Sequence, residues 1–223
     1  MSCNRNQQSE KTARVRSLFV AVLMLACAFG TVANAAAQKV TAPTTPASIT
    51  PPAGNSVFLE GNAIGSQGYI CLPDSTGTPS WTVNPARPEA TLTTNVFGLP
   101  VQIITHFTSV NANPNGNATL PVSQGGNATW QSSFDTSKVW AAATAHIDAG
   151  TDASCPNNGS IPCLLLQSIG NQKGPTGGRL LSNVTFVQRL NTNGGAAPTS
   201  ACTVGQTQLM PYTADYYFFR ADQ

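Results

Sequence analysis

Residues 214–220 read Ala-Asp-Tyr-Tyr-Phe-Phe-Arg, and their four adjacent aromatic side chains make this the densest of a series of short apolar runs. Aromatic and β-branched residues favour strands, and short runs of them bounded by Gly, Pro, Asn and Ser predict strands joined by turns. Such runs occupy residues 57–60, 68–72, 81–83, 100–107, 129–134, 139–147, 180–190 and 214–220. The pattern predicts an all-β fold: a single-domain sandwich or barrel of short antiparallel strands.

Two stretches give more detailed expectations. Side chains alternate between the two faces of a strand, so Leu180, Val184, Phe186 and Leu190 are expected on one face of the run 180–190. Residues 163–166 are also apolar, but periodicity cannot separate a buried strand from a helical turn in so short a run.

The composition suits an exported, β-rich protein. Charged residues are 9% of the 223-residue chain, against roughly 25% in typical soluble domains. Hydrophobic residues are 41%, enough to bury a core. With the first 35 residues set aside, seven basic and eight acidic residues remain and form no basic cluster. Binding to nucleic acid is therefore not expected, because it needs Lys and Arg gathered on one face.

The first 35 residues are predicted to be a cleavable signal peptide. A basic segment ends at Arg16, an apolar run covers residues 18–29, and Ala33-Asn34-Ala35 fits the A-x-A cleavage pattern. An uncleaved anchor fits less well, because the run is short of the roughly 20 residues that span a bilayer. A lipoprotein acylated at Cys27 also fits less well, because apolar residues continue past that cysteine. The mature chain is expected to be secreted or periplasmic, without a membrane span.

The mature chain is expected to have two parts. Residues 36–54 are rich in Ala, Thr and Pro, which indicates a linker or an extended arm. Residues 55–223 contain the predicted strands and are expected to form one β domain.

The cysteines of the mature chain predict a disulfide framework. Four cysteines in an exported domain imply two disulfides, for which three connectivities are possible. Cys155 and Cys163 bracket a turn-forming stretch that would bring them together, and this leaves Cys71 with Cys202. Zinc sites usually pair cysteines two to four residues apart, whereas the spacings here are 84, 8 and 39 residues. No metal site is expected.

Several motifs carry a resemblance to a known family. Residues 65–71 fit a Gly-x-Gln-x-Tyr-x-Cys pattern, and residues 135–139 resemble Asp-Gly-Ser-x-Val with Thr in place of Gly. The most specific block covers residues 181–198, Cys202 and residues 212–218. Over about residues 55–220 the chain resembles the domain of unknown function 3455 family of exported bacterial and fungal proteins. The resemblance implies no known reaction. It implies that Cys71 and Cys202 lie where relatives also carry Cys, that Cys163 replaces a Trp, and that Thr136 replaces a Gly.

Catalysis by histidine would have to use one of the two histidines, His106 and His146. One hypothesis is a hydrolase-type enzyme in which Asp135 orients the imidazole of His106 in a cleft near Trp130. The alternative interpretation of His106 is a strand histidine with a single hydrogen bond. The chain has no Gly-x-Ser-x-Gly elbow and no dinucleotide-binding Gly-x-Gly-x-x-Gly motif after a strand, so no cofactor is expected.

The sequence favours a second hypothesis, a non-enzymatic exported module with a binding or structural role. Aromatic residues that alternate along strands are usually core residues, but exposed together they form a platform for a glycan or a small apolar ligand. The candidate binding residues are Trp81, Trp130 and Tyr216. Arg189 is expected to pair with Asp215 or Glu89 and to fix the last strands.

Overall fold

The computed structural model describes residues 39–84, 88–112 and 126–223. The predicted signal peptide and its cleavage motif lie outside the described residues. Within them the chain forms strands and one short 3-10 helix at Ala47–Ile49. The strands are β1 (Asn55–Pro73), β2 (Pro79–Val83), β3 (Glu89–Val96), β4 (Leu99–Ser109), β5 (Asn127–Ser132), β6 (Lys138–Ile147), β7 (Cys163–Gln172), β8 (Val184–Gly194) and β9 (Thr207–Ala221).

All the strand pairs are antiparallel, and the sheet closes on itself. From β3 to β9 each strand pairs with the next one along the chain. β1 closes the ring because it pairs with β3 on one side and with β9 on the other. The pairing of β1 with β9 runs from Asn55, opposite Ala221, to Ile70, opposite Thr207. β2 extends the sheet beside the second half of β1. The all-β prediction is confirmed, and the closed ladder corresponds to the barrel alternative.

Each predicted strand run overlaps an observed strand. The runs 57–60 and 68–72 belong to the single long strand β1, and residues 163–166 open strand β7 rather than forming a helical turn. Strand β3 was not predicted as a strand. It has only two large aliphatic side chains, Leu92 and Val96, among Glu, Ala, Thr and Asn, so its apolar signal is weak.

The main core fills the inside of the barrel. Buried side chains from β1 and from every strand between β3 and β9 form one cluster, which includes Leu92, Ile104, Trp130, Val187 and Phe218. Closely packed apolar side chains of this kind supply most of the stabilising free energy of a domain. The interior is therefore mostly packed protein, and any internal cavity is confined to part of it.

A second cluster lies on the outer surface of β7, β8 and β9. Leu165, Leu190, Tyr217 and Phe219 pack there with Ile49, which is 0% exposed. The amide Nε2 of Gln188 donates a hydrogen bond to the Ile49 carbonyl at 2.6 Å. The segment from Val40 onward belongs to the same compact unit as the barrel, Val40–Gln223.

These two clusters explain the aromatic run that indicated the fold. Tyr216 and Phe218 pack inside the barrel, whereas Tyr217 and Phe219 pack in the outer cluster. Alternate side chains of a strand point to opposite faces, so four adjacent aromatics require apolar surroundings on both sides of β9. The segment around Ile49 supplies the outer surroundings.

The expectation that Leu180, Val184, Phe186 and Leu190 share one face is wrong. Leu180 and Val184 pack with the barrel interior, whereas Phe186 and Leu190 pack in the outer cluster. The pairing of β8 with β9 shifts register between Val184 and Phe186. A bulge of this kind adds one residue to a strand and exchanges the faces of all the residues that follow it.

Both predicted disulfides are confirmed: Cys71 bonds to Cys202, and Cys155 bonds to Cys163. The first joins β1 to the segment that precedes β9, the two strands that close the barrel. The second joins the β6–β7 connection to the start of β7, and both of its cysteines are fully buried in the outer cluster.

Candidate functional site

An open cavity of about 310 Å³ lies inside the barrel at the end where β4 finishes and β5 begins. Its wall includes His106 from β4, Trp130 from β5, Arg189 from β8 and Tyr216 from β9. Small side chains create the space: Ala128, Ala141 and Ala143 line the cavity together with Leu164 and Leu166. The volume lies at the lower end of the roughly 300–1,000 Å³ range of ligand pockets.

Three aromatic rings meet on the cavity wall because of strand register. His106 lies directly opposite Trp130 in the β4–β5 ladder, and the two rings stack with centroids 4.3 Å apart and an interplanar angle of 11°. Tyr216 approaches both, with a centroid distance of 5.8 Å to each ring. Two of the three predicted binding residues, Trp130 and Tyr216, are therefore brought together, and His106 joins them.

The third predicted binding residue, Trp81, is not on the cavity wall. It lies on β2, and its indole Nε1 donates a hydrogen bond to the Ser200 carbonyl at 2.9 Å. This bond ties β2 to the segment before Cys202. Trp81 is thus separate from the aromatic group of the cavity.

His106 is a neutral side chain inside the barrel. It is 4% exposed, and its Nδ1 lies 2.9 Å from the Thr129 carbonyl. A carbonyl only accepts, so Nδ1 carries the proton and Nε2 is the acceptor. Burial lowers the pKa of His106 from 6.5 to about 4; the hydrogen bond to Thr129 opposes this shift, and the positive charge of Arg189 adds to it.

Asp135 lies at the other end of β5, in the turn between β5 and β6. Its Oδ1 accepts hydrogen bonds from the backbone N–H and the hydroxyl of Ser137, at 3.0 and 2.6 Å, and its Oδ2 accepts one from the Leu180 N–H at 2.9 Å. Burial alone would raise the pKa of Asp135, but these hydrogen bonds outweigh it and lower the pKa to about 2. No hydrogen bond or ion pair joins Asp135 to His106 in the described part of the chain.

Arg189 is the residue that the sequence did not identify as part of a site. Its Nη2 donates a hydrogen bond to the Pro162 carbonyl at 2.9 Å. The expected ion pair with Asp215 or Glu89 is wrong. Beyond the bulge in β8, Arg189 lies on the cavity wall, whereas the Asp215 carboxylate accepts hydrogen bonds from Asn62 and Asn191, each at 2.8 Å. Glu89 is exposed on β3.

Two buried N–H donors, which belong to residues of the cavity wall, lack acceptors. The indole Nε1 of Trp130 and the guanidinium Nε of Arg189 are buried and have no hydrogen-bond partner among the described residues. Buried polar groups are nearly always paired, so each exception calls for an explanation.

A sequence signal existed for Arg189. It is the one charged residue of strand β8, in a chain that has few charges.

The same residues hold no obvious metal site. Among the residues that the structure describes, no group of three or more His, Cys, Asp or Glu side chains is placed to bind a metal ion. In the described ranges we also find no helix with the length and apolar character needed to cross a membrane.

The comparisons with known proteins give one match. The family model described as "Protein of unknown function (DUF3455)" matches residues 52–220, which include β1 and all but the last residue of β9. No curated protein and no solved structure matches the chain. The family match covers well over half of the sequence and agrees with the motifs at residues 65–71, 135–139 and 181–198. The chain therefore belongs to the DUF3455 family of proteins of unknown function.

Proposed function

We propose that this domain is an exported, non-enzymatic binding module, and that its barrel cavity receives a small and largely apolar ligand. The observation that supports the proposal most directly is the open cavity of about 310 Å³ inside the barrel. Ligand sites are typically concave, mostly apolar and largely pre-formed, with a few polar groups that orient the ligand. Aliphatic residues make up about half of the cavity wall, and its polar side chains include Gln67, Asn127 and Arg189.

A glycan fits this cavity less well than an apolar molecule. Sugars present many hydroxyl groups, and a site for them needs a matching number of hydrogen-bonding side chains. Ala128, Ala141, Ala143, Leu164 and Leu166 offer none, and the hydrogen-bonding side chains of the wall are those of Gln67, His106, Asn127, Trp130, Arg189 and Tyr216. Trp130 and Tyr216 are each 1% exposed, so the aliphatic residues provide most of the surface that an apolar ligand would contact.

Titration with a neutral fluorescent dye tests the proposal. N-phenyl-1-naphthylamine fluoresces strongly in apolar surroundings, so a saturable rise in its fluorescence on addition of the purified domain is expected. Ala143→Phe places a ring on the cavity wall and should weaken binding by about tenfold or more. Thr144→Phe is the matched control, because Thr144 is exposed on the same strand and does not line the cavity. Equal binding by both variants, or no saturable binding at all, would contradict the proposal.

The alternative function, a hydrolase that uses His106 with Asp135, has less support. Each group is held by its own hydrogen bonds, His106 to Thr129 and Asp135 to Ser137 and Leu180. A general base must lie within hydrogen-bond reach of the proton that it takes, and an orienting carboxylate must reach the imidazole. Turnover of ester or glycoside substrates that is lost in His106→Ala and in Asp135→Asn would favour the enzyme over the binding module.

A further inference from the structure

The charge of Arg189 has no counterion within its reach. Among the described residues, no Asp or Glu carboxylate lies within ion-pair distance of the guanidinium, which is bound only to the Pro162 carbonyl. Arginine stays protonated at any accessible pH. A cation that is partly removed from water and left unpaired costs free energy. A chain with only 9% charged residues therefore places one of them inside its barrel without a partner.

The neighbouring ionisable groups leave this positive charge uncompensated. His106 is neutral, as its lowered pKa of about 4 requires. Burial raises the pKa values of Tyr69 and Tyr212, the two phenols on which the charge of Arg189 acts, so both stay protonated and neutral. The cavity thus carries a net positive charge at neutral pH.

The guanidinium itself decides the chemistry of the group that would pair with it. Arg189 lies on the cavity wall and is only partly buried, whereas the N–H groups that lack acceptors, Trp130 Nε1 and Arg189 Nε, are shielded from solvent. A guanidinium cannot accept a hydrogen bond. A ligand that pairs with Arg189 must therefore supply acceptor oxygens and a negative charge.

We infer that the ligand is a small organic monoanion whose carboxylate pairs with Arg189 and whose apolar body lies against the half-buried Ala128 and Leu164 of the cavity wall. This inference rests on the proposed function and specifies its ligand class. A carboxylate matches the planar donor arrangement of a guanidinium. A phosphate dianion is less suitable, because the cavity offers one cation and its remaining wall is largely apolar.

A matched pair of probes tests this inference. 2-Naphthoate and 2-naphthylmethanol share the same ring system and differ in the anionic group. We expect the wild-type domain at pH 7 to bind the carboxylate about tenfold or more tightly than the alcohol, measured by calorimetry or by displacement of N-phenyl-1-naphthylamine. Arg189→Gln should remove this preference: carboxylate affinity falls by about tenfold or more, whereas alcohol affinity changes by less than about twofold.

One further variant makes the result specific. Arg179→Gln removes one exposed positive charge and should leave both affinities unchanged, which excludes an effect of net charge. The melting temperature of each variant shows whether it is folded. Naphthoate should raise the melting temperature of the wild type but not the melting temperature of Arg189→Gln.

The outcomes separate the two proposals. If the two probes bind equally and Arg189→Gln affects neither, the anionic ligand is wrong and the binding function stands. If Arg189→Gln is unfolded, Arg189→Lys provides the test, because lysine keeps the positive charge but lacks the planar donor set. An unchanged preference for the carboxylate over the alcohol in Arg189→Lys contradicts the pairing of the carboxylate with the guanidinium. If neither probe nor the neutral dye binds, both proposals fail.

Discussion

Thr136 is held in an unusual backbone conformation by the turn between β5 and β6. Its φ is +57°, in the left-handed region where β-branched residues are rare. The turn is fixed on both sides of Thr136, because its N–H donates to the Ser132 carbonyl at 3.1 Å and the Asp135 carboxylate binds Ser137. This geometry favours Gly, the residue of the Asp-Gly-Ser-x-Val pattern that residues 135–139 resemble.

We expect Thr136→Gly to stabilise the domain. Glycine adopts the left-handed conformation without the steric cost that Thr pays. Its greater freedom in the unfolded chain offsets part of this gain. The net increase in the free energy of unfolding is expected to be on the order of 1 kcal/mol. The Thr136 side chain is exposed, so little packing is lost. Urea denaturation measures the effect. Thr91→Gly, at an exposed position in strand β3, is the control and should destabilise; a loss of stability in Thr136→Gly would refute the strain argument.

His106 predicts how stability depends on pH. In the folded state its pKa is lowered from 6.5 to about 4, so between these values the unfolded chain binds more protons than the folded one. The free energy of unfolding therefore falls as the pH falls from about 7 towards 4, by about 3 kcal/mol for this one group. Asp135, with a pKa lowered to about 2, contributes its own loss only at still lower pH.

Urea denaturation at a series of pH values between 7 and 4.5 checks this expectation. His106→Gln should flatten the dependence on pH in this window, whatever its effect on stability at pH 7. His146→Gln is the matched control, because His146 is exposed on β6, and it should leave the slope as in the wild type. A slope that survives in His106→Gln would show that other groups control it.

The segment before β1 acts as a structural element. Composition predicted a linker or an extended arm for residues 36–54, and the prolines explain why its described part, from residue 39 onward, has a single 3-10 turn at Ala47–Ile49. What composition did not predict is the contact of Ile49 with Tyr217, Phe219 and Leu190. Sequence patterns report periodicity within an element, whereas this contact depends on the second apolar face of β9.

We expect Ile49→Ala to destabilise the whole domain. Truncating a fully buried Ile removes apolar contacts and leaves a cavity, which typically costs about 2–5 kcal/mol; a value near 2 kcal/mol is expected here because the segment lies on the outside of the barrel. Ile64→Ala is the control, because Ile64 is 70% exposed and its truncation should change little. Equal stability of the two variants in urea would mean that the segment contributes nothing to the fold.

At the scale of the molecule, the two disulfides are expected to differ in importance. Cys71–Cys202 spans 131 residues of sequence and Cys155–Cys163 spans 8. On the chain-entropy account these loops correspond to about 5 and about 2.5 kcal/mol respectively. Cys71→Ala with Cys202→Ala should therefore lower the melting temperature by about ten degrees or more.

Cys155→Ala with Cys163→Ala is the comparison and should have the milder effect. The order of the two melting temperatures, measured by calorimetry, is the result that matters. Both Cys155 and Cys163 are fully buried beside Leu165 and Leu190, so their loss also removes packing. If the short bridge proves the more important, packing rather than loop length controls the stability.

The sequence predicted the fold better than it predicted the site. Strand runs and cysteine spacing are local or nearly local signals, and they were sufficient for the all-β class and for both disulfides. The cavity depends on four residues from four different strands, His106, Trp130, Arg189 and Tyr216, and on the register that aligns them. The bulge between Val184 and Phe186 in β8 decides that Arg189 lies on the cavity wall rather than beside Asp215, and no pattern along the chain marks that bulge.

The pairing of the first long strand with the last strand has a consequence for how the chain folds. Asn55 lies opposite Ala221, and the Asp222 N–H donates to the Gly54 carbonyl at 2.9 Å. Contacts between residues so distant in sequence form late and are typical of proteins that fold over milliseconds to seconds. Until β9 arrives, β1 and β8 remain open edges with unpaired N–H and C=O groups, which are able to pair with other chains. A folding molecule is therefore most prone to aggregate just before its last strand, which has fifteen residues, closes the ring.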